Sequence, residues 1–343
     1  MTSSNQSSSW IARKAQGVGV AMRATRDKGC LRAVDGGASV VLLVSLAGCG
    51  AVLSKPQAAA IQDFAQASDT FVKLPSAVLR SYEEVHLETR MFDTTTVGER
   101  DASRAVTQLM RAIAFSQELE KLAVKLDATT DVLSQYAALL RKLSSNMSGG
   151  VAEAASDLGG ALDESIGSYN QVLGGKAPSL PPVGSAAASA ARAVGGLYVK
   201  HQQLAYLREF VGRADPLVTR LTSDVDILVS TFLGAEGYLG ADATSIQNTL
   251  AAYASSHGIA LSVADVHFFG ETLRKEALAV GLAEKVRDIS TKLAKAHSAL
   301  KVALAPRPSL VSARAELQVL IKELQAAAQV KAKLDGTKKC TIQ

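Results

Sequence analysis

The chain has 343 residues, 37 Lys and Arg against 32 Asp and Glu, a formal charge of +5 at pH 7, and 5% aromatic residues. Six of the basic and two of the acidic residues lie in positions 1–48, which leaves +1 downstream. That near-neutral remainder argues against nucleic-acid binding, which needs a basic surface on the folded part.

The first element is the apolar run Ala38–Gly48. Eleven helical residues reach about 17 Å, well short of a bilayer core of about 30 Å. The length suits the apolar region of a secretory signal, about 7–15 residues. Arg13, Lys14, Arg23, Arg26, Lys28 and Arg32 precede the run, and the small residues Ala47 and Gly48 stand just before Cys49.

Leu46-Ala47-Gly48-Cys49 resembles the lipobox of bacterial lipoproteins. The resemblance implies a diacylglycerol on the Cys49 thiol, cleavage after Gly48 and acylation of the new amino group. It covers only the first fifty or so residues. Residues 1–48 are then a cleaved signal peptide, and 49–56 a short lipidated tether. A start at Met22 would give a more ordinary basic leader. Gly50, where an Asp favours inner-membrane retention in many such proteins, resembles the outer-membrane-sorted class. The expected location is the bacterial cell envelope, on the periplasmic face of the outer membrane. The bilayer is the expected partner through acylated Cys49. Cys30 leaves with the leader, so Cys340 in the tail has no intramolecular disulfide partner.

Downstream, apolar residues recur every three or four positions, the helical spacing. A first helix is expected from Gln57 to Arg90, with Pro75 kinking or breaking it. "FDTTTVGERD", Phe92 to Asp101, reads as a loop with a capping box at Thr96 and Glu99. A second helix carries Ala112, Phe115, Leu119, Leu122 and Leu126, and Asp127 or Thr129 would cap a third. That third helix carries Leu133, Tyr136, Leu140, Leu143 and Met147, ending in "SNMSGG".

The Pro- and Gly-rich stretch 174–185 reads as a linker or a crossover within one bundle. Helices resume from Ala186 to Arg213, with Asp215 and Pro216 as cap and first residue of another. Leu233–Ser245 and Ser256–Asp265 read as breaks, the second with Ser262 starting a helix that reaches Leu304. A last helix runs from Leu310 to Leu334, and 336–343 is a tail. The expectation is an all-α, elongated antiparallel helical bundle over 57–335.

No catalytic motif emerges. His267 and Glu271 share a helix face but are two ligands at a common spacing. Glu83, Glu84 and Glu88 around His86 read as a solvated acidic face, with Arg80 and Arg90 near enough to neutralise it. Gly234, Gly237 and Gly240 lack the Gly-Lys-Ser/Thr ending of a phosphate loop. Val225–Gly240 is apolar but holds Asp226 and Glu236, and reads as a core helix and turn. Lys331, Lys333, Lys338 and Lys339 give the C-terminal end a basic character. No cofactor or metal site is expected. The function expected is non-enzymatic: a scaffold or binding module for an envelope protein. The alternative is a carrier or sensor of an apolar ligand.

Overall fold

The computed structural model describes residues 52–98, 101–145, 151–172, 179–185, 199–233, 238–257, 262–305 and 310–339. Internal contacts divide the chain into Met1–Ala47 and Gly48–Gln343, and all described residues lie in the second unit. The expected all-α bundle forms. Its helices are α1 Lys55–Phe71, α2 Pro75–Gly98, α3 Ala102–Ser144, α4 Val151–Val172, α5 Val199–Leu233, α6 Tyr238–His257, α7 Val263–Ala303 and α8 Leu310–Lys339.

Caps and breakers set most of these boundaries. Ser54 Oγ accepts from the Gln57 N–H while Gln57 Oε1 accepts from the Ser54 N–H, a reciprocal box that starts α1. Pro75 lacks the N–H that would continue α1, so the chain bends over 72–74 and α2 starts afresh. Asp101 accepts from the N–H groups of Ser103 and Arg104 and starts α3. Ser262 and Asp265 form the box that starts α7, as expected.

Five stretches differ from expectation. α6 starts at Tyr238, inside the expected break Leu233–Ser245, so Gly240 is helical. α2 continues through Phe92–Gly98, where Thr94 donates its hydroxyl to the Arg90 carbonyl and Asp93 pairs with Arg90. α3 is one helix of 43 residues, with no new start at Asp127 or Thr129. Thr129 and Thr130 bond back to the carbonyls of Lys125 and Leu126, and Asp127 faces Arg80 at 3.2 Å. α5 runs straight through Asp215 with Pro216 in its interior. α8 extends to Lys339 rather than stopping at Leu334.

Long-range hydrogen bonds give the helix directions. Gln57, at the start of α1, donates to the Ala303 carbonyl at the end of α7. Gln203, near the start of α5, donates to the carbonyls of Leu143 and Ser145 at the end of α3. One end of the bundle therefore gathers the starts of α1 and α5 and the ends of α3 and α7. At the other end Thr249 of α6 bonds Asp93 of α2, and Phe92 stacks edge-on to Phe269 of α7 at 4.4 Å.

A single buried cluster runs through α1, α2, α3, α4, α5, α7 and α8 and includes Val183. The seams around Leu133, Leu282 and Leu317 all point into it. A smaller cluster of Val85, Ile246 and Phe269 closes the end near Asp93. The segment 179–185 packs back on α4: Asn170 exchanges two hydrogen bonds with Leu180, and Asp163 accepts from the N–H groups of Gly184 and Ser185 at 2.7 Å. A Cβ on Gly184 would sit 2.0 Å from the Gly159 carbonyl oxygen, so this close approach requires glycine.

Candidate functional site

Deep in the bundle three helices bring one polar chain together. Tyr136 comes from α3, Asp215 from α5, and His297 and Lys301 from α7. His297 Nδ1 lies 3.1 Å from Asp215 Oδ1, and its Nε2 lies 2.6 Å from the Tyr136 hydroxyl. Lys301 donates to the other Asp215 oxygen at 2.6 Å. Phe64 and Phe210 rings pack around the pair, 5.4 Å from His297 and 5.3 Å from Tyr136 respectively.

The protonation states follow from these contacts. A carboxylate only accepts, so the Nδ1–H donates to Asp215, and Nε2 then accepts from the tyrosine O–H. Burial lowers the His297 pKa, although the Asp215 charge pulls the other way, so the ring is neutral. Asp215 is held below the usual carboxylate range by the hydrogen bond from His297 and by Lys301. Burial, with the Asp215 charge, pushes Tyr136 well above the usual phenol value. An Asp–His–hydroxyl chain is also how a nucleophile is activated. Here Tyr136 is fully buried, so a substrate has no path to the oxygen. The arrangement fixes the register of α3, α5 and α7 against one another.

A second buried charge lies between α2 and α7. Lys275 donates to Glu88 at 2.7 Å and to Glu84 at 3.3 Å, with 5% of its side chain exposed. Burial works against its charge, yet the two carboxylates leave its pKa raised overall. Lys275 thus reaches Glu84 and Glu88 from a helix far along the chain. Arg80 pairs with Asp127 and Arg90 with Asp93. His86 is buried beside the Phe115 ring at 4.6 Å.

On the outside, α3 leaves an apolar face uncovered. Val106 and Met110 are each 61% exposed, and Ile113 and Val124 are exposed on the same face. Spacings of four and three, then eleven residues, return to one side of a helix with 3.6 residues per turn. Ala105 and Ala112 take the opposing buried positions against the bundle.

His267 is exposed, and Glu271 pairs with Arg274 at 3.4 Å. Among the described residues no three metal-ligating side chains gather. Val225 and Val229 lie in the core, and no described helix is long and apolar enough to cross a membrane. Lys331 pairs with Asp335 on α8. The lipobox residues Leu46, Ala47, Gly48 and Cys49 lie outside the described residues, as do Gly234, Glu236, Gly237 and Cys340. The polar chain through His297 has no local signature: the histidine sits inside an apolar seam between Ala296 and Leu300. No protein-family model, curated protein or solved structure matches this chain.

Proposed function

We propose that this chain is a lipid-anchored scaffold of the bacterial envelope that docks a partner protein on the exposed face of α3. The single observation behind the docking role is the Val106-Met110-Ile113 face, which lies on the half of α3 away from the α1 start. Four residues separate Cys49 from Ser54, and the five backbone steps reach about 18 Å at most. Acylation there would hold the α1 end of the bundle at the bilayer. α3 is about 65 Å long at 1.5 Å per residue, so the apolar face would stand well clear of the headgroups.

The reading is non-enzymatic. The Asp–His–Tyr chain supports it, because Tyr136 and His297 are buried and already satisfied internally. An apolar-ligand carrier draws less support. The apolar groove between α1 and α8 measures about 190 Å³, below the roughly 300–1,000 Å³ of ordinary ligand pockets, and the larger grooves, about 650 and 600 Å³, carry charged side chains on their walls, Lys73, Arg80, Lys331 and Asp335 in one and Lys295 and Glu316 in the other.

The test has two parts. Intact mass of the membrane-extracted protein, beside a Cys49→Ala variant, should show a chain beginning at a lipid-modified Cys49. A photocrosslinker at Met110 in cells should then capture one discrete protein, and one at exposed Lys322 should not. An unmodified Cys49 would sink the anchoring. Identical labelling from both positions would sink the docking face.

A further inference from the structure

We infer that the partner's docking element is an amphipathic helix edged with carboxylates, a conclusion that rests on the docking role proposed above for α3. The first half of α3 presents three parallel strips of side chains. Their order and their charge specify that occupant.

Successive residues of a helix turn by about 100°. By that turn Val106, Met110 and Ile113 form one strip, with exposures of 61%, 61% and 42%. Thr107 and Ala114 form the next, both small and exposed. Arg104 and Arg111, also exposed, form the third. The small strip between the apolar and basic edges lets a second helix come close, because the distance between packed helices follows the side chains at the contact.

The charge of this half-helix has one sign. Asp101 is spent on the first N–H groups of α3, and Glu118 pairs with Lys121 at 2.6 Å. No carboxylate lies between them in the sequence. Arg104 and Arg111 have no ion-pair partner among the described residues. A helix seated on the apolar strip could set two carboxylates, seven residues apart, opposite both guanidiniums, which stand about 10 Å apart along the axis. A basic edge in the same place would oppose like charges, which excludes such a partner. The strips lie on the half of α3 away from the α1 start, where acylation would hold the bundle, so a protein helix fits them better than lipid headgroups.

The experiment is fluorescence anisotropy with the full chain carrying Cys49→Ala and two synthetic peptides. Both peptides are lactam-held, monomeric helices with the same leucine seam. One carries glutamates at heptad spacing along one edge, the other lysines. Saturable binding of the glutamate peptide is expected, about tenfold tighter than of the lysine peptide, the scale of two surface ion pairs exchanged for two like-charge contacts. Added salt should narrow that gap. Arg104→Glu with Arg111→Glu should reverse the preference, and both side chains are exposed, so that variant keeps its fold. Met110→Asp should abolish binding of either peptide. Loss in Met110→Asp without any preference between the peptides would overturn the acidic partner and leave the docking face standing. Binding unchanged by Met110→Asp, or no saturation with either peptide, would overturn the proposal. So would a chain that self-associates through this face, or one that binds phosphatidylglycerol vesicles and neither peptide.

Discussion

Tyr136 and His297 stand 161 positions apart in the chain and share a 2.6 Å hydrogen bond in the core. The bond ties α3 to α7, and Asp215 extends the tie to α5. Tyr136→Phe keeps the ring packing against Phe64 and Phe210 but leaves the His297 Nε2 without its donor. A stability loss of about 1–3 kcal/mol is expected, the cost of an unsatisfied buried acceptor. Urea unfolding should show a lower midpoint with an unchanged slope. No change in midpoint would mean that the bond contributes nothing net.

The same chain gives the bundle an acid-sensitive term. The folded-state pKa of His297 lies below its ordinary value of 6.5, so the unfolded chain binds a proton first as pH falls. Its contribution is whole above about pH 6.5 and is lost as pH drops toward the folded value. Asp215, also lowered, adds a second loss that begins only below its ordinary 3.8. The melting temperature should therefore fall from pH 7 to pH 5, by at most about 1.4 kcal/mol of stability per pH unit from this histidine. In His297→Gln that step should shrink. A step of the same size in the variant would place the sensitivity elsewhere.

Lys275→Met removes the cation between Glu84 and Glu88 while keeping most of the buried stem. Both glutamates are partly exposed, so the expected loss is about 1–3 kcal/mol rather than that of a fully sealed pair. Adding Glu84→Gln and Glu88→Gln to that variant should restore part of it. A double-mutant cycle with zero coupling would show that the three groups act separately.

Gly184→Ala forces a methyl group onto the Gly159 carbonyl oxygen, and both partners are backbone. Something must move, so a loss of about 1–3 kcal/mol is expected. Amide exchange should speed up selectively at Leu180, Gly184 and Ser185, whose N–H groups are held by Asn170 and Asp163. Uniform exchange across the whole bundle would contradict a local docking role.

The sequence made the seams legible because Leu, Val and Ala at three- and four-residue spacing need only their own helix to be recognised. Ser262 with Asp265 was legible for the same local reason. Asp215 with Pro216 reads locally as a helix start, yet packing of α5 between α3 and α7 carries the helix across the proline. Phe92–Gly98 reads as a loop from its threonines and aspartate, but Thr94 finds the Arg90 carbonyl and Asp93 finds Arg90 and Thr249. The partners of Glu84, Glu88 and His297 come from helices far along the chain, so no spacing could announce them.

α1 and α8 run side by side in the same direction: Asp63 faces the Ile321 region, and Thr70 faces Ala328. The start of α1 is also stitched to the end of α7 by Gln57. A pull applied through the short stretch before Ser54 would thus act along the α1 axis. It would load the buried seam of Ile61, Phe64, Ala67 and Phe71 in shear, all at once, instead of peeling it one turn at a time. Mechanical resistance would be highest for force entering from that end of the molecule.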